Sequence, residues 1–415
     1  MSVHDLRTAD LRPARSRPQT PAVVPEWGAD DLTARTQRVA AIAARHAEAV
    51  DADGRFPIET MTAARTQGLL GVLVPESLGG EAASIGDVVE VCYSLGQTCA
   101  SSAMIYAMHQ VKAACVVRHG VGSHWHETFL NRLVVDQLLL ASSTTEGQAG
   151  GNVRSSAAPV IYEGGRILLD RDASVISYGA SADGLVTTAR RSADAAPTDQ
   201  VLLVLLKDNY TLTPTQGWDT LGMRGTSSMG FALKAEADVA QILPQPYELI
   251  HSQTMVPTAH LFWSAAWAGV AASAVERARR FIRKAARTSG GQLPPAAAYL
   301  TKAMGSLRAL RALIATTLER YETIKNDPDA LAAIDFQTGI NLLKVDASEL
   351  AVETVMAAMR ACGLAGYRND GEASIGRHLR DILSSPIMIN NDRILANLST
   401  SMLVSETPQT IRNRG

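Results

Sequence analysis

The hydrophobic period of this chain changes twice, from helical to strand-like and back, and that order limits the folds open to it. Near the start, Val39, Ile42, Ala43, His46 and Val50 fall on one helical face. Asp53-Gly54 breaks the pattern, Pro57 suits the first turn of a second helix, and Gly68 ends it. After a turn at Leu78-Gly79-Gly80, alanine-rich helices are expected from about 84 to 118. The middle then becomes rich in β-branched residues. Stretches 158–162 and 166–170 flank Glu163-Gly164-Gly165, a hairpin signal, and 175–177, 184–188 and 201–206 are further strand candidates. Beyond about Met255, stretches 263–283, 294–326 and 336–362 read as long helices with short connections, the pattern of a bundle. The expected fold is mainly α with a central β-domain. It comprises a disordered arm over 1–28, an N-terminal helical domain over 29–140, a middle β-barrel or sandwich over 141–248 and a C-terminal four-helix bundle over 249–415.

Composition excludes several classes. A formal net charge of -2 gives no electrostatic reason to expect nucleic acid. No apolar run reaches the roughly 18 residues of a membrane span, so no membrane insertion is expected. Cys92, Cys99, Cys115 and Cys362 show no CxxC spacing, and His124 with His126 forms an isolated pair; we expect no metal site. The arm lacks the apolar core of a secretory signal, and with unpaired buried cysteines the expected compartment is cytoplasmic.

Where the period first changes lies Thr144-Thr145-Glu146-Gly147-Gln148-Ala149-Gly150-Gly151-Asn152-Val153-Arg154-Ser155. Its hydroxyls, glycines and free backbone donors suit close wrapping round a flat polar ring. Three other segments occur in fixed order around it. They are Gly68-Leu69-Leu70-Gly71 with Val74-Pro75-Glu76 and Gly79-Gly80; Leu221-Gly222-Met223-Arg224-Gly225-Thr226 after Trp218; and Gly363-Leu364-Ala365-Gly366-Tyr367 followed by Arg380-Asp381. Together the four segments resemble those of the acyl-CoA dehydrogenase superfamily, from about residue 30 to 405.

The resemblance implies FAD between the β-domain and the bundle, in a homodimer or homotetramer. Thr144, Thr145, Gly150 and Gly151 would meet the flavin's polar edge, and Ser177 would stand near its N5. Val175 takes a place where the family often has a stacking Trp. Arg283 or Arg287 would reach the pyrophosphate of a neighbouring subunit's FAD, and Arg360 the adenine half. Gly363 would allow close backbone approach, and Asn391 is counted with the cofactor-binding positions.

The family removes an α-proton from an acyl thioester with a Glu. Counting from Arg380-Asp381 puts that position at Ile389, and the alternative position, on the first bundle helix, at about Ala259. Neither accepts a proton. Asp392, His260 and His109 are the candidate replacements. Three functions stay open. One is dehydrogenation of an acyl group on CoA or a carrier protein, with an electron-transfer partner. Another is the family's two-component flavin monooxygenase chemistry, using FMN or another reduced flavin from a flavin reductase, plus oxygen. The third is flavin binding or assembly without turnover.

Overall fold

The computed structural model describes residues 31–146 and 154–404. Helices come first: α1 (Leu32–Asp53), α2 (Ile58–Thr66), α3 (Ile85–Gly96), α4 (Ala100–His119) and α5 (His124–Val135). The stripe that buries α1 is Val39, Ala43, Ala47 and Val50; Ile42 and His46 lie at its half-buried margin. Gly54 closes α1 in the left-handed region, φ 62°, as expected of a glycine C-cap. Ser84 opens α3 with a capping box: its side chain accepts from Asp87 N, and Asp87 accepts in return from Ser84 N. α4 is buried almost all round, because helices cover it on several sides.

Among the described residues seven strands follow: β1 (Leu140–Ser143), β2 (Ile161–Glu163), β3 (Arg166–Ile176), β4 (Gly184–Arg190), β5 (Gln200–Leu206), β6 (Tyr210–Gln216) and β7 (Met229–Asp238). They form two sheets, β1-β4-β5 and β2-β3-β7-β6, rather than a closed barrel. The hairpin at Gly164-Gly165 joins β2 and β3 with Glu163 opposite Arg166. β3 runs on through 175 and 176, which sequence reading had taken as a separate strand. Its alternation buries Ile167, Leu169, Arg171 and Ala173. β4 and β5 are buried throughout all but their last residue, which explains the unbroken apolar run from 201 to 206. β1, β6 and β7 escaped sequence reading.

The remainder is helical. α6 (Tyr247–Ile250) leads through a π-helical turn (His251–Met255) into α7 (Val256–Thr288), followed by α8 (Ala297–Ile324), α9 (Pro328–Ala332), α10 (Ile334–Cys362), α11 (Leu364–Tyr367), α12 (Gly376–Ile382) and α13 (Asn391–Val404). α7, α8 and α10 pack on one another, and α13 packs on α10. α3 crosses α7 where two glycines meet. A Cβ on Gly96 would lie 2.3 Å from Ala266 O, and one on Gly269 would lie 2.2 Å from Tyr93 O. No helix among the described residues is long and apolar enough to cross a membrane. The four cysteines are buried and unpaired.

The crossing gives a test. Gly269→Ala forces backbone apart at a contact with no flexible side chain to yield, and is expected to cost ~1–3 kcal/mol or more. Urea unfolding measures it; an unchanged midpoint would mean the two helices slide freely.

Candidate active site

One large cavity, about 1050 Å³, opens between the strands and the last helices. Single-ligand pockets usually hold about 300–1,000 Å³, so this one stands at the top of that range. Its walls come from β1 and the residues after it, the end of β3, the loop before β7, α4, the π-helical turn, the start of α7 and the segment from Arg380 to Leu398.

The sheet side is hydroxyl-rich. Ser142, Thr144, Thr145, Ser174 and Ser177 line it. Ser228 Oγ lies 2.8 Å from both Thr226 Oγ1 and Ser177 Oγ, so Ser177 is tied to the loop before β7. Trp218 adds an aromatic surface, held by its indole N–H donating to Met223 O at 3.1 Å. The loop carrying these groups is locked from behind. Met223 N donates to buried Asp381 Oδ1 at 2.7 Å, and burial raises the Asp381 carboxyl to about 6. Arg380 Nε donates to Leu221 O at 3.1 Å.

The helical side is basic. His260, on α7, has Nδ1 2.9 Å from Ile340 O. A carbonyl only accepts, so Nδ1 carries the proton and Nε2 keeps a lone pair. Nε2 has no protein partner among the described residues. Burial pulls the His260 pKa down to about 4, leaving the ring neutral at ordinary pH. His251 opens the π-helical turn and is pulled to about 3 by burial, with Arg154, His260 and Lys112 adding repulsion. Lys112, on α4, is 3% exposed and lines the cavity. Burial lowers its pKa to about 8. π-Helical turns gather at functional sites, and neither His251 nor Lys112 was read from the sequence: a π-turn has no sequence signature, and a Lys on an apolar helix reads as a solvated side chain. Glu248 is the one carboxylate on the wall among the described residues, and it is exposed.

Ile389 and Ala259, the two places where a base was expected, both line the cavity. Ile389 has φ 59° and Asn390 φ 51°. A β-branched residue there is strained by about 1–3 kcal/mol, and such strain collects at ligand sites.

Of the residues singled out from sequence, Thr144, Thr145, Ser177 and His260 line the cavity. Gly150 and Gly151 lie outside the described residues. The others are elsewhere. His109 is fully buried away from the wall: its Nε2 donates to Leu70 O at 2.8 Å and its Nδ1 accepts from Leu140 N at 3.0 Å. With both nitrogens committed to backbone it has none left for a substrate. Asp392 is exposed in the first turn of α13 and off the wall, so it is not a displaced base. Asn391 is buried in a structural network, accepting from Lys344 Nζ at 2.6 Å and donating to Ser348 Oγ and Glu349 Oε1, each at 2.9 Å. Arg283 and Arg287 are exposed on the last turns of α7. Arg360 is exposed and stacks over the Tyr299 ring at 4.0 Å. Gly363, φ 56°, terminates α10 with its N–H on Met359 O at 2.9 Å. None of these four reaches the cavity within one chain.

Residues 31–134 match the N-terminal domain model of acyl-CoA dehydrogenases, and residues 259–398 match the C-terminal domain model. The chain belongs to the acyl-CoA dehydrogenase family. It is 26% identical over 208 residues to the probable acyl-CoA dehydrogenase YngJ of Bacillus subtilis, a match spanning 49% of this chain and 54% of that protein. It is 23% identical to cyclohex-1-ene-1-carbonyl-CoA dehydrogenase of Geobacter metallireducens, covering 79% of this chain and 84% of the relative. In structure it is similar to FMN-bound TdsC, a dibenzothiophene monooxygenase of Paenibacillus sp. A11-2. That likeness has TM-score 0.79 and 19% identity, and covers 91% of this chain and 98% of TdsC. Family membership and cavity position thus agree: the crevice lies where the resemblance puts the flavin.

His109→Phe separates a structural from a catalytic role. It leaves Leu140 N buried without its partner, at about 1–3 kcal/mol, and Leu70 O with only the long bond from Gln110 Nε2 at 3.4 Å. Denaturation should register that loss while ligand binding by the folded protein stays unchanged; weaker binding with unchanged stability would return His109 to the site.

Proposed function

We propose that this protein is a flavin-dependent monooxygenase on the acyl-CoA dehydrogenase fold, taking FMN reduced by a separate flavin reductase, with dioxygen as co-substrate. The observation that carries this reading is the chemistry of the wall. Among the described residues its interior offers hydroxyls, neutral imidazoles and an amine, but no buried carboxylate. Removing a carbon-bound α-proton requires a positioned base of useful strength. His260, held near 4, is too weak a base for that but suits acceptance of a hydrogen bond from a substrate O–H or N–H.

The residues fit a flavin. Thr144, Thr145 and Ser177 would meet the polar edge of the ring, with Trp218 and Val175 against its faces. Bound reduced flavin would supply two electrons for the reaction of dioxygen with the substrate. The remaining wall, including Met104, Met108, Val111 and Met255, would keep bulk water away. FMN suits a single chain, because Arg283, Arg287 and Arg360 all lie off the cavity; FAD would require them from a second copy in a dimer or tetramer.

An acyl-thioester dehydrogenase is the second reading. The names of the sequence relatives favour it, and His260, next to Ala259, would then be its base. Anaerobic mixing of the oxidised flavoprotein with a series of acyl-CoA thioesters separates the two. No bleaching is expected without a reductase, and oxygen uptake only with NADH, reductase and substrate together. Bleaching by a thioester alone would sink the proposal; neither activity would leave a non-catalytic flavin binder. His260→Phe is expected to slow oxygen incorporation into product by roughly 10²-fold, the lower end of the range for loss of a proton-handling group.

A further inference from the structure

Among the described residues the basic side of the cavity has one carboxylate on its wall, the exposed Glu248, and no buried one. Lys112 is buried on α4, and among the described residues its Nζ has one hydrogen-bond partner, the Met255 thioether at 3.4 Å. An ammonium has three donors, and a thioether is a weak acceptor. His251 stands beside it with no hydrogen-bond partner among the described residues, and Arg154 is close enough to repel a proton on His251. The buried carboxylate Glu146 is already engaged. It faces Arg171 Nη1 at 3.1 Å and accepts from Ser156 Oγ at 2.6 Å and Ala157 N at 2.7 Å. The sequence between Glu146 and Arg154 contains no Asp or Glu.

Burying an amine without a carboxylate costs several kcal/mol if it is charged. A core that needed only packing would place Leu or Met here, as the neighbouring Met104, Met108 and Val111 do. Lys112, His251 and Arg154 all line the same cavity, whose volume is at the top of the single-ligand range.

We propose that the substrate carries a carboxylate, bound in the chamber between α4 and the π-helical turn, with Lys112 as its principal donor and His251 and Arg154 beside it. The thioethers and Val111 around it would hold the apolar body of the same molecule, since methionine adapts to irregular shapes. This deepens the monooxygenase reading by naming its substrate class, and rests on that reading for the word substrate. The binding claim is testable without turnover.

The experiment is calorimetric titration of the flavin-loaded protein with matched probes: benzoate against benzamide, octanoate against octanamide, and succinyl-CoA against butyryl-CoA. At least one carboxylate is expected to bind roughly 10–100-fold more tightly than its neutral partner, the usual scale of a charge-assisted hydrogen bond. Lys112→Met should erase that preference and Lys112→Arg should keep most of it. Preference in the first two pairs marks a free acid, and preference in the third alone marks a thioester carrying the carboxylate at its far end. Lys112→Met should also raise the melting temperature of the ligand-free protein, because it removes an amine that no protein carboxylate neutralises.

Equal binding within all three pairs would overturn the proposal, as would a preference that survives Lys112→Met. So would a loss of FMN affinity in Lys112→Met with riboflavin affinity unchanged, which would assign the lysine to the flavin phosphate. Failure of the oxygen chemistry would leave these titrations unaffected, so the two claims fail separately.

Discussion

Gly222 is the point through which the three regions of the chain hold one another. A Cβ there would lie 2.1 Å from Arg380 O and 2.6 Å from Asp381 N, so only glycine lets the loop before β7 lie against α12. Once the backbones touch, Asp381 accepts from Met223 N and Arg380 donates to Leu221 O. Arg380 also pairs with Asp51 at the end of α1, and Arg224 Nε donates to Asp51 O at 2.7 Å. The contact ties the first helix, the strand region and the last helices together. The hydroxyl wall stands on this junction, since Thr226 and Ser228 follow within the same loop.

The buried Arg171–Glu146 pair does comparable work on the other side of the wall. Glu146 reaches across to Ser156 and Ala157, so both flanks of the segment between them are fixed. Arg171 points inward from β3 and bonds the backbone of Thr188 on β4, joining the two sheets. Such a pair is a poor source of net stability, because desolvation offsets most of its attraction. Its consequence here is geometric. Lys112 and His251 stand at the cavity wall with no carboxylate bonded to them among the described residues.

Much of this was readable in the sequence because it depends on local pattern. The glycine stop of α1, the β2–β3 hairpin and the long helices α7, α8 and α10 follow from spacing and turn residues. Thr144 and Thr145 were singled out from a contiguous motif and Ser177 from its place in the resemblance, and all three line the cavity. His109 was misread because a His on a helix gives no sign of which backbone groups it will meet. Leu70 and Leu140, its two partners, are 39 and 31 residues away. Asn391 and Asp392 are neighbours in sequence, yet one is buried in a hydrogen-bond network and the other exposed. A counted motif position cannot distinguish them.

The sequence alone determined the order of helices and strands, the family, and the lack of an acid at the two places where one was expected. Those are properties of local spacing and residue identity. Only the tertiary structure decided which polar groups face the same cavity and which are consumed by backbone. Hydrogen bonding is a matter of distance in space: α4, the π-helical turn and α7 come together from separate parts of the chain, and their packing leaves Lys112, His251 and His260 facing a ligand while it spends His109 on the fold.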